Sequence, residues 1–253
     1  MERNSVQIVP GALFLRGAPD LGVAGSDSGR FLAVGDPVYN TADARYKGPG
    51  FMAFWRSAAE ADAGGQLNRL VGTRREVESS SQAWAAAESS ILTGSTATRG
   101  RFLQELQRFP KVIHLATHVL TPPRQPGQAF LAFSLDSTAQ PELLATSDIA
   151  KLHVPGSLVV MSGCATAAGE SVEGAGLLGL TRAWLMAGAN GIVATAWPVE
   201  DSAGELLPSF YRFAKTDSAA EALRRSQIDM LHAGGWRAAP SYWAAYQLTG
   251  GAR

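Results

Sequence analysis

The segment Ser157-Leu158-Val159-Val160-Met161-Ser162-Gly163-Cys164 decides the fold of this chain. It is an apolar run that stops at a small-residue turn, the pattern of a strand buried on both faces. Upstream, Val112-Ile113-His114-Leu115-Ala116-Thr117-His118 has the same character and ends in a histidine. Two such strands side by side in a parallel sheet bring a thiol and an imidazole to one edge of that sheet.

Further apolar runs follow the same rule. Phe31-Leu32-Ala33-Val34-Gly35 stops at Asp36-Pro37, and Ile192-Val193-Ala194-Thr195-Ala196 follows Gly188-Ala189-Asn190-Gly191. Residues 90–93 read as a short strand, and 129–135 alternate as a strand does. Between the strands lie helical patterns over 74–89, 98–108, 146–152, 174–187, 201–215 and 218–232. Thr98 is placed to cap the second, and Thr146 or Ser147 the third. Strands alternating with helices predict an α/β fold, with a mostly parallel central sheet and helices on both faces. Residues 1–30 read as a hairpin with its turn at Pro10-Gly11, followed by a loop. Residues 31–250 form the core of a single domain spanning 1–253, in which 38–66 read as an irregular surface insertion. The pattern leaves Tyr242-Trp243-Ala244-Ala245-Tyr246-Gln247-Leu248 open between strand and helix.

Composition narrows the partners. The 253 residues carry 22 Lys plus Arg against 22 Asp plus Glu, a net charge of zero. That balance gives no basic face, so direct nucleic-acid binding is not expected. A single cysteine excludes an internal disulfide and a multi-thiolate zinc site. No cluster has metal-ligand spacing, and Gly174-Ala175-Gly176-Leu177-Leu178-Gly179 sits in a helical pattern rather than a phosphate loop, so neither metal nor cofactor is expected. No stretch is long and apolar enough to span a bilayer, and the start has no signal-peptide pattern. These features predict a cytoplasmic location and no membrane partner. The abundance of Arg, Ala and Gly suggests a bacterial source.

In open parallel sheets, reactive groups collect beyond the carboxyl ends of the strands. His118 and Cys164 both stand there. An imidazole beside a thiol lowers the thiol pKa and takes its proton. The backbone N–H groups of Cys164 and Val119 are placed to donate to an oxyanion. Gly163 and the small residues after Cys164 open the approach for a substrate chain. The other reading of the same residues is a buried structural thiol and a satisfied core histidine. His114 reads as packed, and His153 and His232 as surface groups.

The segments His114-Leu115-Ala116-Thr117-His118 and Ser162-Gly163-Cys164-Ala165-Thr166-Ala167 resemble the CHAT domain, a caspase-like cysteine peptidase group related to caspases and separase. Gly35-Asp36-Pro37, the helix pattern from Gly174 with Ala183-Trp184-Leu185, Val193-Ala194-Thr195-Ala196-Trp197-Pro198-Val199-Glu200-Asp201, and Pro240 with Tyr242-Trp243 continue the resemblance in order. It implies a caspase-haemoglobinase fold and a cysteine endopeptidase, with His118 as general base and Cys164 as nucleophile. It also implies a protein substrate, control by a repeat or sensor protein in cis or in trans, and roles in bacterial antiviral defence or regulated cell death. By the same resemblance, Asp201 lines a pocket for a basic substrate residue. Asp36 and Trp197 are further pocket candidates. Asp201 also suits a helix N-cap, Asp36 an Asp-Pro turn and Trp197 the core. One departure is Val119, where the family commonly has glycine, and it narrows the expected groove. The rival readings are a catalytically inactive interaction module of this fold and a cysteine-dependent hydrolase of small esters or amides.

Overall fold

A computed structural model describes residues 4–9, 29–46, 67–122, 128–162, 175–197, 199 and 205–250. A six-stranded sheet forms the centre, made of β1 (Phe31–Pro37), β2 (Ser89–Gly94), β3 (Val112–Ala116), β7 (Leu158–Met161), β8 (Gly191–Thr195) and β9 (Tyr246–Gly250). Their order across it is β2-β1-β3-β7-β8-β9. Every pairing in it is parallel except β8 with β9. The open segment near the carboxyl end therefore resolves into a short helix, Pro240–Trp243, and an antiparallel edge strand. A second sheet of three antiparallel strands holds β4 (Val119–Leu120), β5 (Phe130–Leu135) and β6 (Pro141–Ala145).

Successive side chains of a strand point to opposite faces, so each central strand feeds two cores. Leu32, Val34, Ile113, Leu115, Val159, Met161, Ile192 and Ala194 join one core. There they meet α2 (Arg99–Leu106), the second sheet and α4 (Ala175–Met186) through Phe102, Leu131 and Trp184. Phe31, Ala33, Val112, Ala116, Val160 and Val193 join the other core, with α1 (Val71–Trp84), α5 (Leu206–Phe213) and α6 (Ala219–His232). Helices thus cover both faces, which explains why these strands are apolar throughout rather than alternating.

Several boundaries differ from the sequence pattern. α1 begins at Val71 rather than 74, preceded by Leu70, which makes no side-chain cap bond. It stops at Trp84, where Ala85 turns left-handed with φ 53°. Thr98 caps α2 as expected, accepting from Arg101 N–H at 3.2 Å. Thr146 and Ser147 cap nothing in the short helix α3 (Thr146–Ile149). The Thr146 hydroxyl bonds Ala129 instead, at 3.0 Å to its N–H and 2.8 Å to its carbonyl. The expected hairpin partner at 12–15 lies outside the described residues, and Ile8 bridges Thr249 on the sheet edge. Val38 and Tyr39, read as surface insertion, are buried. No described helix is long and apolar enough to cross a membrane.

Candidate active site

From β1 the chain crosses to β2 on one side, then returns to place β3 on the other. The order therefore reverses at the β1/β3 junction, where crevices open at the carboxyl ends of strands. Asp36 ends β1 and His118 follows β3, so both stand at that junction. Ser162 continues β7, and its N–H donates to Leu115 O at 3.2 Å. Gly163, Cys164 and Asp201 lie outside the described residues; in sequence, Cys164 comes two positions after Ser162, which itself continues the strand adjacent to β3.

His118 is buried, and three contacts with described residues hold it. Its N–H donates to the Tyr39 hydroxyl at 3.2 Å, and its carbonyl accepts from Ala132 N–H at 3.0 Å. The Tyr39 hydroxyl in turn donates to Ala132 O at 3.1 Å. The third contact is made by the ring, whose Nε2 lies 2.7 Å from the carbonyl oxygen of Asn68. A carbonyl only accepts, so Nε2 carries the proton and the lone pair of the neutral ring sits on Nδ1. Burial raises the Tyr39 hydroxyl well above its ordinary pKa, only partly offset by the bond from His118 N–H, with the Asp36 charge raising it further. Tyr39 therefore stays a neutral donor. Its ring packs against the imidazole, with centroids 4.9 Å apart.

Asp36 has no exposed surface and a left-handed backbone, φ 45°. Its carboxylate meets two guanidinium forks. Arg45 reaches it at 2.6 and 3.1 Å, and Arg69 at 2.8 Å to each oxygen. Bidentate arginine–carboxylate pairs are the strong, directional kind. The acid read as a pocket candidate is thus held inside the fold, with its charge already met by arginines, rather than presented to a substrate. Arg45 also binds Asp43, and this bond holds the Asp43 carboxyl at a pKa of about 2. Sequence reasoning missed Tyr39, Arg45, Arg69 and Asn68 as supports of the site.

His114 is fully buried on the α1 side of the sheet. Glu76 of α1 accepts from its Nε2 at 2.8 Å and from the Ser162 hydroxyl. This buried triad joins α1, β3 and the residue that precedes Gly163-Cys164. Val119 is 4% exposed and packs into the core, so its side chain does not narrow a groove. It is not among the residues of positive φ, so its backbone makes no demand for glycine. Trp197, just past β8, is 40% exposed and therefore stands open at the carboxyl end of the sheet rather than buried in the core. His153 and His232 are exposed. Among the described residues, no group of three or more His, Cys, Asp or Glu can hold a metal ion.

A family model described as the CHAT domain matches residues 1–251. The human tetratricopeptide repeat protein 28 is 27% identical over 192 residues, 63% of this chain and 8% of that protein; its mouse counterpart is 28% identical over the same share. The chain thus spans less than a tenth of the length of these curated relatives. Among solved structures, the Arg-specific cysteine proteinase gingipain R matches 94% of this chain and half of its own, with 9% identity and a TM-score of 0.50. Separase in the Saccharomyces cerevisiae separase–securin complex matches 97% of this chain and 14% of its own, with 13% identity and a TM-score of 0.46.

Proposed function

The chain belongs to the CHAT domain family and has the fold of the caspase-like cysteine peptidases; from that premise we propose that it is a cysteine endopeptidase using His118 and Cys164. The observation that carries the reading is the 2.7 Å contact of His118 Nε2 with Asn68 O. It leaves Nδ1 as the basic nitrogen, at the end of a strand whose parallel neighbour leads into Cys164. Nδ1 takes the thiol proton, and the thiolate attacks the peptide carbonyl. The N–H groups of Val119 and Cys164 donate to the developing oxyanion. The imidazolium then gives its proton to the leaving amine, and water hydrolyses the acyl-enzyme with His118 again as base. Asp201, four residues past the exposed Trp197, receives a basic residue before the scissile bond.

A protein substrate and a regulatory repeat segment, in cis or in trans, complete the reading. The repeat segment is supported by the relatives' being tetratricopeptide repeat proteins. The test is labelling with a peptidyl-arginine chloromethylketone. The native protein should be modified at Cys164, and His118→Ala should lose the reaction. If the native thiol stays unlabelled while the unfolded thiol reacts, the interaction-module reading replaces this one. A peptide library should show cleavage after Arg or Lys; preference for apolar residues removes Asp201 from the pocket, and turnover of small esters alone favours the small-substrate hydrolase.

A further inference from the structure

The segment that supplies the Asn68 carbonyl has few reasons of its own to stand where it does. Asn68 and Arg69 are exposed, and α1 begins only at Val71. A carbonyl on an exposed, irregular segment is a poor fixed acceptor unless something holds it. Two links do, and both end on Asp36. The Arg69 fork, on the residue immediately after Asn68, closes on the Asp36 carboxylate with Nε and one terminal nitrogen, each at 2.8 Å. The Thr73 hydroxyl accepts from Asp36 N–H at 2.8 Å and donates to Leu70 O at 2.7 Å. The acceptor residue is therefore stapled to the end of β1 through the side chain that follows it and through the start of α1.

Asp36 is suited to be the fixed point. It is fully buried, its backbone is left-handed, and Arg45 holds its carboxylate as well as Arg69 does. Asn and Asp tolerate that backbone region better than most residues. Asp36 sits one position past Gly35, which is paired with Ala116 of β3, so it travels with the strand that carries His118. The distance from the imidazole to its acceptor is thus set by the β1/β3 ladder and the Asp36–Arg69 fork, not by the exposed segment itself.

We propose that Asp36 and Arg69 are positioning residues for His118, the ion pair between them fixing the Asn68 carbonyl and through it the tautomer and orientation of the imidazole. Neither residue touches the substrate or the reacting atoms. The consequence for turnover rests on the peptidase reading above; the consequence for the imidazole does not. When the fork is lost, Asn68 O drifts, Nε2 loses its fixed acceptor and the proton is free to sit on Nδ1. A ring protonated on Nδ1 presents N–H where a base is needed.

The experiment is nitrogen NMR of the four histidines in 15N-labelled protein, with His118 assigned by its absence in His118→Gln. The native protein should show His118 protonated on Nε2. Arg69→Gln, a change at a half-exposed side chain, should move His118 toward a mixture of tautomers, and Arg69→Lys should lie between because one point of attachment survives. Arg74→Gln removes an exposed ion pair with Glu78 on the same helix and should leave the His118 signal as it is. Amide spectra report whether each variant is folded. If Arg69→Gln is folded and the His118 tautomer is unchanged, the proposal is overturned, whatever the protein does to peptides. If the peptidase reading holds, kcat should fall about 10–100-fold with KM little changed, the size expected for groups that orient a reacting residue. A native protein that cleaves nothing while the tautomer shifts as described would overturn the peptidase reading and leave the positioning role standing.

Discussion

Glu76 Oε1 accepts from His114 Nε2 at 2.8 Å while also accepting from the Ser162 hydroxyl, so one carboxylate of α1 is shared by the neighbouring strands β3 and β7 beneath the carboxyl edge of the sheet. The site is buried: His114 has no exposed surface and Glu76 and Ser162 have 7% each. Buried donors left without an acceptor cost about 1–3 kcal/mol apiece. Glu76→Leu removes the shared acceptor and leaves His114 Nε2 and the Ser162 hydroxyl only each other, 3.4 Å apart, so it should lower unfolding stability by about 1–3 kcal/mol in urea titrations. Replacing His114 and Ser162 by apolar residues as well removes the stranded donors and should recover part of the loss. A triple variant no better than Glu76→Leu alone would show that the network does not act as a unit.

Tyr39→Phe tests the other support of His118. The ring volume and the tilted ring contact with the imidazole, centroids 4.9 Å apart, survive, while the hydroxyl that links His118 N–H to Ala132 O is lost. Two buried backbone groups lose a partner, and a loss of about 1–3 kcal/mol is expected. Because the His118 backbone loosens, kcat should fall more than KM rises. A variant with native stability in thermal unfolding and native kcat would remove the hydroxyl from the account of the site.

Gly35→Ala separates packing from chemistry. A Cβ there would lie 2.8 Å from Thr73 O and 3.0–3.1 Å from the Val77 methyls. The first of these is backbone and cannot swing aside, so α1 must move off β1. Overpacking of this kind costs about 1–3 kcal/mol. Thr73 also links Asp36 to Leu70, so the displacement reaches the segment that holds His118. Activity measured well below the melting temperature should therefore drop in Gly35→Ala. Full activity at reduced stability would mean that α1 shifts without carrying Thr73.

Which parts of this were legible in the chain follows from how each part is made. β3, β7 and β8 announce themselves because burial on both faces demands unbroken apolar runs. His118 was legible because it ends such a run. β6 was not, since it begins Pro141-Glu142 and is largely half-exposed, which reads as turn. β4 is two residues long and gives no period to detect. The acceptor for His118 Nε2 is a backbone carbonyl, which every residue type offers, so Asn68 has no signature. Arg45 and Arg69 reach Asp36 across 9 and 33 positions, a pairing that only the tertiary fold defines. Tyr39 sat in a segment of turn-forming residues, and its burial comes from the second sheet, whose Ala132 it contacts.

The Asp43–Arg45 pair makes stability depend on acid in one direction. The Arg45 side chain bonds Asp43 with Nε at 2.9 and 3.2 Å and with a terminal nitrogen at 2.5 Å, and holds its carboxyl at about 2 against an ordinary value of 3.8. The folded pKa lies below the unfolded one, so the unfolded chain binds the proton first. The contribution is then complete above about pH 4 and is lost as pH falls toward 2. Solvent beside this partly exposed pair screens it, and about 1 kcal/mol is the expected size. Asp43→Asn should therefore be less stable than the native protein at pH 5 and should converge with it as pH approaches 2, read from urea midpoints at each pH. A difference that stays constant between pH 5 and pH 2 would show that the ionised Asp43–Arg45 contact contributes nothing to folding, and that Arg45 is held by Asp36 alone.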